Sequence, residues 1–146
     1  MRHVCVMELG YDGRFQLVRA PEGGQGMGWG EGEGVARGPR LSGEVKWTSH
    51  AHRRGDGVML PAGEGIVRTD DGATVLFEMR GRTVTLQKER GEKGGQLLHF
   101  SFETGDDRYA WMNRAMFVAE GVVDPGSLKL VLGIHECVNE MLEHLP

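Results

Sequence analysis

The feature of this chain that most constrains its fold is an Asp-Gly turn at residues 71–72, between two segments of strand-forming residues. β-Branched and aromatic residues favour strands because they pack well on a pleated, half-buried surface. An Asp-Gly pair between two such segments is the strongest short-range signal of a β-hairpin, since both central residues of the tight turn need a positive φ. We therefore predict a hairpin within residues 60–81. The strand-forming residues are Ile66, Val67 and Thr69 before the turn and Thr74, Val75 and Phe77 after it.

Similar short segments with alternating apolar residues recur along the whole chain, with Gly, Pro and Asp turn residues between them. Many short strands at close spacing are typical of an antiparallel barrel or sandwich. We predict an all-β fold, an antiparallel meander β-barrel of about 8–9 strands that is lipocalin-like in outline, because the turns are short and long crossovers are absent. Further strands are predicted at residues 3–9, 14–19, 41–49, 58–60, 82–88, 97–103, 116–123 and 128–137, and a short C-terminal helix within residues 138–145.

Closure of this barrel requires the first strand to pair with a late one, since closure removes the exposed edges of a sheet. We therefore expect the strand that holds Cys5 to lie beside the strand at residues 128–137.

Glycine occupies every second position from Gly24 to Gly34. Side chains alternate between the two faces of a strand, so a strand here would have one bare face. Two interpretations remain open: a strand whose bare face leaves room inside a barrel, and a flexible glycine-rich loop. A phosphate-binding loop does not fit, because the segment has no GxGxxG register, no Walker lysine and no following helix. The other face would carry Gln25, Met27, Trp29, Glu31, Glu33 and Val35.

Length and composition fit a single domain over residues 1–146. The net charge is −4 and no basic patch has interleaved aromatic residues, so we expect no nucleic-acid partner. No apolar run approaches the ~20 residues of a membrane span, and the N-terminus lacks the apolar core of a secretory signal. We therefore expect a cytoplasmic protein with no membrane partner. Cys5 and Cys137 form neither a metal spacing nor a disulfide framework, and we expect no cofactor and no metal.

Five short motifs along the chain resemble those of one family. They are GPRLSG at 38–43, VKW at 45–47, RGDGV at 54–58, TDDGA at 69–73 and YAWMN at 109–113. In this order they resemble domain of unknown function 3237, also called uncharacterised protein family 0311. The resemblance covers nearly the whole chain and implies a small β-barrel of bacterial or fungal type, without a general activity. Many relatives have Gly-Asp-Trp where this chain has VKW, so a role of that aspartate does not carry over.

Two histidines, His50 and His52, would share a face on a strand and could then chelate a metal. The third ligand would have to come from elsewhere, such as His99, His135 or Glu78. Nothing close in the sequence provides it, and a solvated loop is the simpler interpretation.

Charged residues within the predicted hairpin and strands are candidates for acid–base chemistry. Asp70 and Asp71 could pair as catalytic carboxylates, although Asx hydrogen bonds that fix the turn explain them more simply. Charges on an outer face are ordinary solvated residues, whereas inward charges need partners and have shifted pKa values. The candidate catalytic residues are Glu78, Arg40 and Tyr109, and the other strand charges are Arg37, Glu44 and Glu120.

Residues 109–113 fit either a short helix capped by an aspartate at 106 or 107, or an extended segment. In an extended segment Tyr109, Trp111 and Asn113 share one face, which suits a pocket for a flat or ring-shaped ligand. The alternative is aromatic core packing, with the amide satisfying backbone groups.

The function that we predict is binding of a small, largely apolar molecule in the barrel lumen. At least one of Trp29, Trp47 and Trp111 should line the lumen with Tyr109 and Asn113, opposite the glycine-rich face. One alternative is a cofactor-free lyase, isomerase or cyclase with an acid–base site inside the barrel. Another is an assembly module with a filled core, and a homodimer is one such assembly. The predicted ligand-binding residues are Trp47, Tyr109, Trp111, Asn113 and Arg40.

Overall fold

Eleven antiparallel β-strands form one sheet in the computed structural model of the chain, which describes residues 1–13, 15–23, 25–88 and 91–146, with the backbone alone at 87 and 88. The strands are β1 (Arg2–Tyr11), β2 (Gln16–Arg19), β3 (Gly26–Arg37), β4 (Gly43–Ser49), β5 (His52–Arg53), β6 (Met59–Leu60), β7 (Ala62–Thr69), β8 (Thr74–Lys88), β9 (Gly91–Thr104), β10 (Phe117–Asp124) and β11 (Lys129–Glu136).

Eight of these strands close into a barrel, in the order β1-β11-β10-β9-β8-β7-β4-β3 and back to β1. β1 pairs with β11, where Cys5 lies opposite Ile134, and this confirms the predicted closure. A row of directly paired residues that starts at Val75 of β8 passes through every barrel strand and returns to β8 at Thr85, ten residues further along. This stagger tilts the strands and leaves an interior that side chains can fill.

The other three strands extend from the N-terminal part of β3. β2 and β5 pair with its two edges, and β6 connects β5 to β8 through the pair Met59–Thr83. Of the strand predicted at 14–19, residues 16–19 are β2, and residue 14 lies outside the described residues.

The segments predicted as two strands on either side of Gly81 are one long strand, β8. Gly81 does not end the strand, because it pairs with Leu98 of β9. A Cβ atom at Gly81 would collide with the backbone of Leu97, so glycine is needed here for the close approach of two strands and not for a turn.

The central hairpin joins β7 to β8 as predicted, but its turn is of another type. The Thr69 N–H donates to the Ala73 carbonyl oxygen at 2.9 Å, which leaves a loop of three residues. Only Gly72 in this loop has a positive φ, +91°. The prediction of two central residues with positive φ is therefore wrong, and the loop has the common three-residue form that ends in a left-handed glycine.

Replacement of Gly72 by valine should lower the free energy of unfolding by about 1–3 kcal/mol, because a β-branched residue is strained at this φ. Thermal and urea denaturation measure the effect. Gly105→Val is the matched control, since a Cβ atom at either glycine meets no other atom within 4 Å and Gly105 has no positive φ. Equal losses in the two variants would contradict this account of the turn.

The middle of the barrel is filled by apolar side chains from all eight strands. Phe77, Phe100 and Phe102 contact one another with ring centroids 5.4–6.1 Å apart, and Phe117 meets Phe102 edge-on. These rings are at most 2% exposed. They belong to one core cluster, so the middle of the lumen is packed with side chains and not with a ligand-sized space.

The glycine-rich segment is a strand, β3, and its glycine face points into the barrel. Gly28, Gly30 and Gly32 are buried, whereas Met27 and Trp29 at the alternate positions are exposed. The flexible-loop interpretation is therefore wrong for residues 26–34, and Gly24 lies outside the described residues.

Two aromatic rings use the room that these glycines leave. A Cβ atom at Gly30 would lie 2.7 Å from the ring of Tyr11 and 2.9 Å from the ring of Phe15. At Gly32 and Gly34 a Cβ atom would collide with carbonyl oxygens of β1. The alternate glycines therefore allow β1 and two aromatic rings to approach the backbone of β3 closely.

Replacement of Gly32 by alanine should lower the free energy of unfolding by about 1–3 kcal/mol or more, because the added methyl group meets the Gly10 carbonyl oxygen. Gly10→Ala is the matched control on the neighbouring strand, since a Cβ atom there meets nothing within 4 Å. Chemical denaturation of both variants makes the comparison. A Gly32→Ala variant as stable as Gly10→Ala would show that β3 does not need its bare face.

A 3₁₀ helix, Asp107–Arg114, packs on β9 at the end of the barrel where β9 finishes and β10 begins, and we call this the helical end. Asp106 caps it by accepting the Arg108 N–H at 2.9 Å, and Met112 is fully buried. Residues 109–113 are therefore helical and not extended. We call the opposite end, where β1 and β4 finish, the far end.

The predicted C-terminal helix is present as a second 3₁₀ helix, Glu140–His144, and none of its residues is buried. Among the described residues, no helix has the length and apolar character that a membrane crossing requires.

Candidate functional site

The predicted site residues lie in three separate places. The helical end holds Arg40, Tyr109, Trp111 and Asn113, the interior holds Trp47, and the outer wall holds Glu78. Trp47 in the interior is therefore not grouped with Tyr109 and Asn113, which the 3₁₀ helix holds at the helical end.

Arg40 at the helical end has two partners. Its Nη1 atom lies 2.7 Å from Oε1 of Glu136, and its guanidinium lies 3.8 Å from the ring centroid of Trp111. Glu136 shares the inward face of β11 because it pairs with the buried Phe117. The three side chains connect the 38–42 loop, the helix and β11, so their evident role is to close this end of the barrel.

Asn113 and Tyr109 are also engaged by neighbouring groups. The Asn113 amide accepts the Thr104 N–H at 2.8 Å and donates to the Thr104 carbonyl oxygen at 2.9 Å, so it satisfies the end of β9. The Tyr109 hydroxyl donates to Asp71 at 2.8 Å, and desolvation followed by this hydrogen bond raises its pKa. That any of these four residues binds a ligand stays a prediction.

Asp71 connects the central hairpin to the helix. It accepts hydrogen bonds from the hydroxyls of Thr69 and Tyr109, and Arg108 lies 3.5 Å from the same carboxylate. The hydrogen bond from Thr69, and then that from Tyr109, hold the pKa of the Asp71 carboxyl below its usual value. These contacts give Asp71 a structural role, which is to hold the hairpin turn against the helix.

Because the pKa of Asp71 is lower in the folded chain, its ionised form stabilises the fold above the ordinary pKa of 3.8, and this stabilisation is lost as the pH falls through the lower folded value. Asp71→Asn should therefore melt below the wild type at about pH 7, and the gap should narrow as the pH falls below 3.8. Thermal melts across this range measure it. Asp70→Asn is the control, and a gap independent of pH would contradict the assignment.

Trp47 lies inside the barrel at 3% exposure, on the far-end side of the aromatic core. Its indole N–H donates to the Gly10 carbonyl oxygen at 3.3 Å, and its ring lies 4.7 Å from that of Tyr11. Burial raises the pKa of the Tyr11 hydroxyl, and a hydrogen bond with the buried Ser49 opposes the shift. One predicted tryptophan is therefore in the lumen, beside the glycine strand and not opposite it.

Glu78 points away from the interior. It lies directly opposite Glu64, and both side chains are exposed, whereas their neighbours Phe77 and Met79 are buried. Glu78 therefore cannot take part in an acid–base site inside the barrel, because its side chain lies on the outer face of β8. The buried polar residues of the described chain, Ser49, Thr69 and Gln96, are not ionisable at ordinary pH.

Glu78 instead lines a cleft of about 660 Å³ on the outer wall, which we call the outer cleft. Five strands contribute outward side chains in two rows of directly paired residues. The first row is Glu31, Thr48, Glu64, Glu78 and Ser101, and the second is Glu33, Lys46, Ile66, Leu76 and Glu103.

The floor of the outer cleft is the backbone of an inward-facing row between these two. This row alternates glycine and aromatic residues: Gly32, Trp47, Gly65 and Phe77. The Phe77 ring lies against Gly65 from inside, where a Cβ atom would collide with it. Glycines covered by aromatic rings allow the wall to bend inward, which is our explanation for a concave outer face.

The charge pattern of the outer cleft is unfavourable to the isolated protein. Directly opposed residues on antiparallel strands have Cβ atoms about 5 Å apart, and like charges at such positions destabilise the sheet. Glu64 and Glu78 form such a pair, and no ion pair within 4 Å is found for either, or for Lys46, among the described residues. The wall therefore presents Glu64 and Glu78 without an ion pair, beside the Lys46 amine and the hydroxyls of Thr48 and Ser101.

The remaining candidates from the sequence do not join a site. His52 lies on the outer face of β5 opposite Met27, and the His50 ring is 3.4 Å from the Thr48 hydroxyl. No three His, Cys, Asp or Glu residues of the described chain are grouped so as to hold a metal ion. Burial raises the pKa of the Cys5 thiol to about 12, which does not suit a nucleophile.

The fold and the outer cleft define a small closed β-barrel whose concave surface lies outside its lumen. The chain belongs to the family described as "Protein of unknown function (DUF3237)", whose model matches residues 29–136. This confirms the resemblance that the sequence motifs indicated. A comparison with curated proteins finds no significant match.

Several solved structures are similar to the chain over most of both lengths. A β-barrel-like protein of Acinetobacter baumannii is 13% identical, with a TM-score of 0.81 over 92% of this chain and 93% of that one. A conserved protein of unknown function from Rhodopseudomonas palustris is 20% identical, with a TM-score of 0.80 over 94% and 96%. An enzyme from Penicillium herquei is 17% identical, with a TM-score of 0.67 over 92% of each. At these identities the likeness concerns the fold.

Proposed function

We propose that the chain binds a small organic cation in the outer cleft. The observation that carries the proposal is the pair Glu64–Glu78, two carboxylates without an ion pair that are held directly opposite each other in the outer cleft. A ligand cation between them would neutralise the repulsion between these two carboxylates. This keeps the predicted small-molecule binding but moves it from the lumen, whose middle is packed, to the outer wall.

The second row of the outer cleft determines what else such a ligand should have. Ile66 and Leu76 lie side by side there, and Leu76 is 53% exposed. An apolar body on the ligand would cover these side chains and gain the free energy of their burial. Thr48 and Ser101 flank the carboxylates with hydroxyls that can orient a polar substituent. The ligand class is therefore an ammonium compound with a hydrocarbon or aromatic body.

A second candidate function is acid–base catalysis in the same cleft, in keeping with the alternative of a cofactor-free lyase, isomerase or cyclase. Two carboxyl groups on one wall with flanking hydroxyls are an arrangement that can donate and remove protons. That a neighbour of this fold is described as an enzyme supports the candidate only at the level of the fold. Chemical conversion of a bound ligand, followed by NMR, would distinguish catalysis from binding alone.

The test replaces each carboxylate by its neutral isostere, Glu64→Gln and Glu78→Gln, and titrates phenethylamine by calorimetry. The free energy of unfolding of each variant should exceed that of the wild type by about 0.2–1 kcal/mol, because the like-charge pair is removed. Each should also bind phenethylamine at least about tenfold more weakly. A gain in stability together with a loss of affinity is the expected signature of a binding carboxylate pair.

The control is Glu8→Gln, which removes an exposed glutamate on the outer face of β1, outside the cleft. Phenethyl alcohol is the neutral control ligand, and it should not bind. Equal affinity for the amine and the alcohol, or cleft variants that bind like Glu8→Gln, would contradict the proposal.

A further inference from the structure

We infer that the outer face of β8, β9, β10 and β11 is an interface between two copies of the chain, packed about a two-fold axis that runs along β9. The inference does not depend on the outer cleft, because none of the residues that line that cleft belongs to this face. It rests on a group of exposed apolar side chains and on the order of the charges beside them.

Five large apolar side chains are exposed on this part of the outer wall, which we call the apolar face. Their exposed fractions lie between 42% and 66%. Single exposed apolar residues are normal on a protein surface, whereas a group of neighbours with charged residues beside it is typical of a protein–protein interface. The five residues are Val84, Leu86, Leu97, Val122 and Val131.

The apolar face has a groove at its centre. Gly95 of β9 lies between Val84 and Val122, so this position of the row has no side chain. The groove has a volume of about 530 Å³, and Leu97 lines it as well. When two sheets pack face to face, side chains from both sheets interdigitate. The groove gives the valines of two facing copies the room to do so.

The charges on either side of Leu97 are arranged so that the face is complementary to itself. Arg82, Leu97 and Glu120 are directly paired across β8, β9 and β10, and directly paired residues share a face. Rotation by 180° about an axis along β9 exchanges the positions over β8 and β10. Arg82 of each copy then faces Glu120 of the other. In the next row, Val84 of each copy faces Val122 of the other.

The same charges select the direction of the axis. An axis across the strands through Leu97 would place Arg82 of one copy against Arg82 of the other, and like charges across an interface are unfavourable. The axis along β9 instead forms the pair of Arg82 and Glu120 twice. Stacked sheets lie about 10 Å apart, a distance that a facing arginine and glutamate can span together.

Both side chains are accessible for this contact. Arg82 is exposed, and no ion pair within 4 Å is found for it among the described residues. The Glu120 side chain is 72% exposed, and its Oε1 atom lies 3.6 Å from the His135 ring. A second copy would therefore give Arg82 a carboxylate partner and remove the apolar side chains between the two charges from water.

The first experiment measures the mass of the full chain by sedimentation from about 1 µM to about 1 mM. The mass should rise from that of one 16.1 kDa chain towards twice that value. Leu97→Glu places two like charges on the axis and should weaken the association at least about tenfold. Leu142→Glu is the matched control, since this leucine is 62% exposed in the second 3₁₀ helix, outside the apolar face, and it should associate like the wild type.

The second experiment exchanges the charges. Arg82→Glu and Glu120→Arg should each associate at least about tenfold more weakly, because each brings two like-charge pairs into its own dimer. An equal mixture of these two variants should associate like the wild type, since both contacts between unlike copies again join opposite charges. A misfolded variant would not regain association in the mixture, so the mixture separates loss of the contact from loss of the fold.

A wild-type chain that keeps the mass of one copy up to about 1 mM would overturn the inference. Charge variants that associate like the wild type would also overturn it, because they would place the contact on another surface. A mixture that associates no better than its two components would contradict the two-fold axis along β9.

Discussion

The close contact between inward-facing glycines and the groups packed against them is the constraint on which the rest of this barrel depends. A Cβ atom at Gly32 or Gly34 would meet carbonyl oxygens of β1, and at Gly65 it would meet the Phe77 ring. Interiors are close-packed, so each of these positions excludes any larger residue. The bare strand faces therefore do not create an empty lumen. They let the wall approach its own core, and the aromatic residues take up the volume that glycine leaves.

The same contact determines where a ligand can be accommodated. Because aromatic rings fill the middle of the lumen, a ligand is accommodated more readily in the cleft on the outer wall. The row with Gly65 and Phe77 faces the interior with its side chains and the outer cleft with its backbone. A change that loosens the core beneath this row would therefore also deform the floor of the outer cleft. Core and candidate site are two sides of one wall, which couples the stability of the barrel to the shape of the cleft.

The sequence predicts the barrel and its closure well, because period-2 alternation and turn residues are local signals. For the glycine-rich segment it left a strand and a loop open, because glycine is a poor strand former. The sequence-based prediction fails where a shift of one residue in the pairing of two strands decides which side chains lie opposite each other. An Asp71-Gly72 tight turn would place Gly65 opposite Glu78, whereas the observed three-residue loop places Glu64 there. A slip of one residue exchanges the two faces of a strand. The predicted register therefore hid Glu64 as the partner of Glu78, and the correct turn type would have revealed the Glu64–Glu78 pair.

At the outer cleft, two directly opposed glutamates repel each other and lower the local stability. Several other polar groups of the described chain are satisfied: Asn113 completes the end of β9, Thr69 holds the hairpin loop, and Arg40 is paired with Glu136. Natural chains violate local rules mainly where function requires it. The glutamate pair is such a violation, and it is the physical basis for placing the proposed binding site on the outer wall and not in the packed lumen.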